Sequence, residues 1–233
     1  MIPRIGAVTI GQSPRTDVTG DFLDALGGEV VLLQKGALDG LTEEEIIELA
    51  PQKDDYVLVT RLQDGTQVKV AESRIHQRMK LAIQELEDAG ATLVVLFCTG
   101  EFQDLVSRRL LLRPDALLRC VVGELIGDGR LGVLVPVPEQ IPAMMKKWQG
   151  VGGSCECQAV SPYTATHEEL ETAARTLAFR GADLVILDCI GYTRQMRDVV
   201  HVAAGTPVIL PRTFLGKLAG ELLGLQGDPF PAG

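Results

Sequence analysis

Short apolar runs alternate with segments of helical period along most of the chain. Ile5–Ile10, Val30–Leu33, Leu93–Phe97, Leu131–Val135, Cys157–Val160, Leu184–Leu187 and Val208–Leu210 predict strands. Several are unbroken in Val, Ile and Leu, as strands covered on both faces are. After Glu72, Ile75, Met79, Ala82, Ile83 and Leu86 recur on one helical face, and the pattern stops at Gly90. Thr42 with Glu45, and Thr166 with Glu169, read as capping boxes. Ser13-Pro14 reads as a helix N-cap and first helical residue. Alternating strands and helices predict a mostly parallel sheet. One stretch breaks the rhythm: Tyr56–Val70 reads as two strands around Asp64-Gly65, an antiparallel hairpin inserted in the first half.

The chain also repeats itself. Residues 90–101 read GATLVVLFCTGE and residues 181–192 read GADLVILDCIGY, so that Cys98 and Cys189 each follow an apolar strand and precede x-Gly. Ile5–Gly11 resembles Leu131–Val137 in the same way, a strand leading into a loop and a helix start. A length of 233 residues suits two small lobes of this kind.

Composition narrows the partners. A net charge of −9 argues against nucleic acid or an anionic membrane surface, yet permits a locally positive pocket for a small anion. No apolar stretch reaches membrane-span length, and the apolar run in MIPRIGAVTIG is too short for a signal peptide. Five cysteines, an odd number without secretory features, are expected as free thiols in the cytoplasm. A homo-oligomer stays open.

Ligands of open parallel sheets sit beyond the carboxyl ends of strands. Four loops lie there: Gly11–Arg15, Cys98–Glu101, Pro136–Gln140 and Cys189–Tyr192. If the halves face each other, these loops converge on one cleft. Arg15 offers a fork that suits a carboxylate, and Ser13 a hydroxyl; Arg15→Ala is expected to weaken anion binding and leave the fold intact. The alternative is that Ser13-Pro14 only caps a helix and Arg15 points to solvent. A thiol between a strand end and a helix start is expected to be acidified. Two such thiols on opposite sides of one carbon make an acid–base pair, with sulfurs about 6–8 Å apart if each approaches to roughly 3–3.5 Å. The competing reading is two small apolar residues at buried strand ends. Asp188 either orients Cys189 or is a satisfied strand-end carboxylate. Cys155-Glu156-Cys157 lacks a second pair at metal-ligand spacing, so no metal is expected. Cys120 is expected in the core. His76, His167 and His201 are read as helix-surface or capping residues, and Trp148 with Met144-Met145 as packing.

The stretch Thr9–Asp17 (TIGQSPRTD) resembles the signature of the AroM family, with LQDGTQV, Val135–Gln140 (VPVPEQ), Lys147-Trp148 and Gly181–Tyr192 in support, as far as about Leu223. That family is similar to the aspartate/glutamate racemase superfamily. The resemblance implies an α/β fold of two pseudo-twofold-related three-layer αβα lobes with mostly parallel sheets, plus the hairpin in the first lobe. Residues 1–115 and 208–233 would form the first lobe and 116–207 the second, the last helix returning after Pro211. GLQGDPFPAG at the end is expected to have no role. The resemblance also implies a cysteine from each lobe, matched by Cys98 and Cys189, and no cofactor. Amino-acid racemases usually show Cys-Asn-Thr and Cys-Thr-His at these sites; here Thr99-Gly100 and Ile190-Gly191 follow the cysteines, and the histidine is missing.

The leading expectation is therefore a cofactor-independent isomerase, racemase or lyase acting beside a carboxylate. Cys98 and Cys189 would be acid and base, and Gln12, Ser13, Arg15, Thr99, Gly100, Glu139, Gly191 and Tyr192 would hold the substrate. The alternatives are a non-catalytic protein binding a small anionic metabolite, and a thiol enzyme with one nucleophilic cysteine.

Overall fold

Ten strands and eight α-helices alternate along residues 2–225, which the computed structural model describes. The first half runs β1 (Arg4–Thr9), α1 (Thr16–Leu26), β2 (Val31–Gly36), α2 (Glu43–Glu48), β3 (Val57–Arg61), β4 (Gln67–Ala71), α3 (Glu72–Asp88), β5 (Leu93–Phe97) and β6 (Leu110–Leu112). The first half closes with α4 (Pro114–Ile126), and the second runs β7 (Arg130–Val135), a 3₁₀ turn at Pro138–Gln140, α5 (Ile141–Lys147), β8 (Ser154–Ala159) and α6 (His167–Phe179). It ends with β9 (Leu184–Leu187), α7 (Arg194–Ala204), β10 (Val208–Ile209) and α8 (Pro211–Leu222).

The strands form two parallel four-stranded sheets, ordered β2-β1-β5-β6 and β10-β9-β7-β8. The central strands are buried on both faces because their side chains alternate between two helical layers. In the first lobe Val8, Val94 and Leu96 pack on Ile75, Met79 and Ile83 of α3. Ala7, Val95 and Phe97 pack on Val18 and Phe22 of α1 and Leu215 of α8. In the second lobe Leu134, Val185 and Leu187 face α6 and α7, while Val133, Val135 and Ile186 face α4 and α5. Each lobe is thus a three-layer αβα unit.

The fourth helix and the eighth exchange places. After β6 in the first sheet, α4 crosses and packs Leu118 and Val122 on the second sheet. After β10 in the second sheet, α8 crosses back and packs Leu215 and Ala219 on the first. The two helices match at a constant offset of 97 residues (211 against 114, 215 against 118, 219 against 122), both with Pro in the first turn. Leu117 and Phe214, at the same offset, each pack against the opposite core.

Antiparallel β3 and β4 form the predicted hairpin around Asp64-Gly65, and both capping boxes are present. The three histidines lie on helices: His76 pairs with Glu72, His167 with Glu171, and His201 with the Thr206 carbonyl. Other expectations are corrected. Ser13-Pro14 does not open α1. Ser13 donates its N–H and hydroxyl to the Asp39 carboxylate, 2.6 Å each, so the helix begins only at Thr16 with Arg15 as an N-cap that makes no side-chain cap bond. Cys120 is exposed on α4, not in the core. Val208–Ile209 belong to the second sheet, so the chain returns to the first lobe at Pro211 rather than at 208. Of the expected tail GLQGDPFPAG, residues 226–233 lie outside the described residues. No helix among the described residues is long and apolar enough to cross a membrane.

A buried ion pair within the second lobe carries a hydrogen bond to the first. Lys147 Nζ, at the end of α5, donates to both Asp188 oxygens at 2.9 and 2.8 Å and to the Thr99 carbonyl at 2.8 Å. Trp148 Nε1 adds a fourth bond, to Asp188 Oδ2 at 2.8 Å. Both charged side chains are fully buried. Removing one partner strands the other charge away from water, so Lys147→Met is expected to lower the unfolding free energy by about 3–5 kcal/mol in urea titrations. Asp188→Asn should cost a similar amount, and the double variant less than the sum. Additive costs would show that the two do not act as a pair.

Candidate active site

The two Cys-x-Gly segments end β5 and β9, one in each lobe, and both enter the wall of one cavity between the sheets. Their turns are built alike. Gly100 N–H donates to Cys98 Sγ at 3.3 Å, and Gly191 N–H donates to Cys189 Sγ at 3.4 Å. Both positions need glycine for close approach. A Cβ at 100 would lie 2.5 Å from Leu58 Cδ2, and one at 191 would lie 2.5 Å from the Tyr163 hydroxyl.

The cavity holds about 20 Å³, room for roughly one water. Besides the thiols, Thr99, Arg15, Ile190 and Gln140 line it, with Leu58 and Val59 of the hairpin above. The hairpin is strapped to the second lobe by three contacts: Gln140 Nε2 to the Val57 carbonyl (3.0 Å), Lys69 to Glu139 (2.6 Å) and Ser161 Oγ to Gln67 Oε1 (2.6 Å). Gln140 Oε1 is buried without a hydrogen-bond partner.

Arg15 does line the cavity, but it is not a free fork. It is 3% exposed. Its Nε and Nη2 hold Asp17 through two 2.8 Å bonds. Nη1 reaches the Thr9 and Thr60 hydroxyls, and Nη2 the Tyr163 hydroxyl, each at 3.3 Å. Burial is the largest influence and opposes its charge, but Asp17 and Tyr163 together outweigh it and raise the pKa above the ordinary value. Arg15→Ala would leave Asp17 partly unpaired, so the expectation of an undisturbed fold does not hold.

Five sequence-predicted contacts lie outside the cavity, Gly191 among them although its N–H reaches Cys189. The Gln12 side chain accepts from the Gln63 N–H of the hairpin, and Ser13 is spent on Asp39. Glu139 turns outward to Lys69, half exposed. Tyr192 is buried in the second core with its hydroxyl on the Val160 carbonyl at 2.6 Å. A place in a strand-end loop does not set which way a side chain points. Asp188 is the satisfied strand-end carboxylate of the two readings. Trp148 and Met144 pack in the second core. Cys155 and Cys157 share one face of edge strand β8, sulfurs 3.9 Å apart. Among the described residues no cluster of three or more His, Cys, Asp or Glu is arranged to hold a metal.

Sequence reasoning missed Tyr163, Thr60 and Lys147 as site residues. Tyr163 sits in the loop after β8 and reaches residues far away in sequence, Arg15 at 3.3 Å and Cys189 at 3.9 Å. The SPYT segment has no periodicity to flag it; only its position at a strand end could have. The expected acidification of the thiols is also reversed. Neither cysteine is at a helix start, since α4 begins at Pro114 and α7 at Arg194. Burial pushes the Cys98 thiol up to about 12, against the pull of the Gly100 N–H. It pushes Cys189 up as well, opposed by the Gly191 N–H, the Arg15 charge and the Tyr163 hydroxyl.

The two-lobed architecture is that of racemase-like enzymes. Picrophilus torridus aspartate racemase matches with a TM-score of 0.60 at 12% identity, over 95% of this chain and 94% of that one. An unliganded arylmalonate decarboxylase gives 0.60 at 13% identity, over 99% and 96%. Glutamate racemase from Aquifex pyrophilus gives 0.56 at 14% identity, over 94% and 83%. No curated protein sequence matches the chain. The chain belongs to the AroM family: the family model, AroM protein, matches residues 5–223.

Burial of Cys98 has a consequence for stability. The unfolded thiol titrates near 9.0 and the folded one near about 12. Below 9.0 both states keep the proton and the group adds no pH dependence. Between the two values the unfolded chain releases its proton first, so stability falls as pH rises. Cys98→Ala should make the fall of Tm above pH 9.0 shallower. An unchanged slope would mean that the thiol ionises as freely folded as unfolded.

Proposed function

We propose that this protein is a cofactor-independent isomerase, racemase or lyase for a small carboxylate, with Cys98 and Cys189 as its acid and base. The observation that carries this reading is the matched pair of Cys-x-Gly turns, one from each lobe, lining one cavity with a glycine N–H on each sulfur. Acid–base work at a carbon needs one group to take a proton and another to give one from a different side. Arg15 supports a carboxylate ligand as a buried positive charge at the cavity wall, and Thr99 and the glycine turns line the place where it would lie. Gln140 Oε1 offers an acceptor for a substrate N–H or O–H.

Ligand pockets commonly measure about 300–1,000 Å³. A cavity of about 20 Å³ cannot hold a carboxylate substrate, so binding widens the cleft and loosens the hairpin contacts. Free thiols throughout, Cys98 and Cys189 included, suit work in the cytoplasm.

A second reading, a binding protein without chemistry, draws on two observations: burial favours the protonated form of both thiols, and Asp17 already occupies Arg15. Incubation with candidate carboxylates in deuterated water separates the two. Solvent deuterium should enter the substrate carbon with the native protein, and with neither Cys98→Ser nor Cys189→Ser, circular dichroism checking that each variant is folded. A carboxylate that binds by calorimetry, yet exchanges no proton at any pH, would favour the binding reading.

A further inference from the structure

The two thiols are not equivalent. Arg15 Nη2 is 3.3 Å from the Tyr163 hydroxyl, and that hydroxyl is 3.9 Å from Cys189 Sγ. A guanidinium has no lone pair with which to accept, so the hydroxyl accepts from Arg15 and its own proton is left free for the sulfur. The Gly191 N–H reaches the same sulfur. Two groups able to donate therefore converge on Cys189, and a buried cation stands behind one of them. Cys98 Sγ receives only the Gly100 N–H among the described residues. Tyr163 is held in place from both ends: its N–H donates to Ser161 Oγ at 3.0 Å, and its ring fills the space over Gly191 that any side chain there would need.

We propose that Tyr163 is a positioning residue for the second thiol: its hydroxyl, polarised by Arg15, donates to the Cys189 sulfur and makes Cys189, rather than Cys98, the thiol that ionises first. The catalytic meaning of this assignment rests on the two-thiol reading above. The Arg15 charge also favours the Cys189 thiolate directly, while Lys147 favours that of Cys98; the remaining groups around Cys189 do not supply the bias. Asp17 is bound to Arg15, Asp188 is neutralised by Lys147, Tyr192 donates to the Val160 carbonyl, and Cys98 faces it from the first lobe. In turnover the Cys189 thiolate takes the proton of the substrate C–H bond, and the bonding pair stays on carbon. That pair then accepts the proton of the Cys98 thiol. Cys98 is left as thiolate and Cys189 as thiol, and proton exchange with water restores the starting state.

The test is a pH titration of protein labelled with cysteine carrying ¹³C at Cβ, followed by NMR, with signals assigned by single Cys→Ser variants. The Cys189 signal should move at lower pH than the Cys98 signal. Tyr163→Phe keeps the ring and removes the hydroxyl; it should raise the Cys189 midpoint by about one unit, or ~tenfold less thiolate, with the Cys98 midpoint unmoved. If that variant does not fold, 3-fluorotyrosine at position 163, a stronger donor of the same shape, should lower the Cys189 midpoint instead. Ionisation of Cys98 first would overturn the proposal, as would a Cys189 midpoint indifferent to these changes or one that moves together with that of Cys98. The titration needs no substrate, so its failure leaves the two-thiol reading to the deuterium experiment, and the failure of that reading leaves the titration result intact.

Discussion

The ammonium of Lys147 is where the two lobes meet at close quarters. It leaves α5 in the second lobe, closes on both oxygens of Asp188 beside Cys189, and donates its remaining bond to the carbonyl of Thr99 beside Cys98. Taking two charges out of water costs several kcal/mol per ion, and attraction offsets this only when the remaining hydrogen-bonding capacity is filled. Here the three donors of Lys147 are all used and Trp148 completes Asp188. The pair therefore tolerates little displacement of either cysteine turn. The spacing of the two thiols, on which any chemistry between them depends, is tied to one lysine that is paired in the second lobe, hydrogen-bonded to the first, and touches neither sulfur.

Much of this arrangement was legible in the residues. The alternation of apolar strands with helical periods, the Asp64-Gly65 hairpin and the two capping boxes are local patterns, and local geometry reproduces them. The repeated Cys-x-Gly was informative because a sequence repeat at a strand end becomes a spatial repeat in a two-lobed fold. Other features depend on partners far along the chain. Ser13 looked like a helix cap but is held by Asp39, 26 residues on. Tyr163 is 148 residues from Arg15, and nothing in SPYT announces the meeting. Leu110–Leu112 was not read as a strand because it is three residues long with Leu110 exposed.

The thiols show how environment overrides position. A strand-end cysteine suggests acidity only if a helix starts there and aligned N–H groups face the sulfur. In this protein α4 begins far beyond the Cys98 turn and α7 only after Gly191 and Tyr192, and the sulfurs lie under the hairpin, each 6% exposed as a residue. Desolvation is then the largest influence on both. Widening the cleft would relieve it and make both thiols more acidic.

The reciprocal exchange of α4 and α8 bears on how such a chain can exist at all. Each sheet is covered on one face by a helix that the other half supplies, through Leu118 and Val122 in one direction and Leu215 and Ala219 in the other. Cut between the halves, the chain would yield two pieces that each carry a helix belonging elsewhere and an apolar sheet face left half covered. A half-length chain of this design could cover itself only by meeting a second copy and trading helices with it. The full-length protein is, in this physical sense, a dimer written into one polypeptide, and its cavity is the dimer interface.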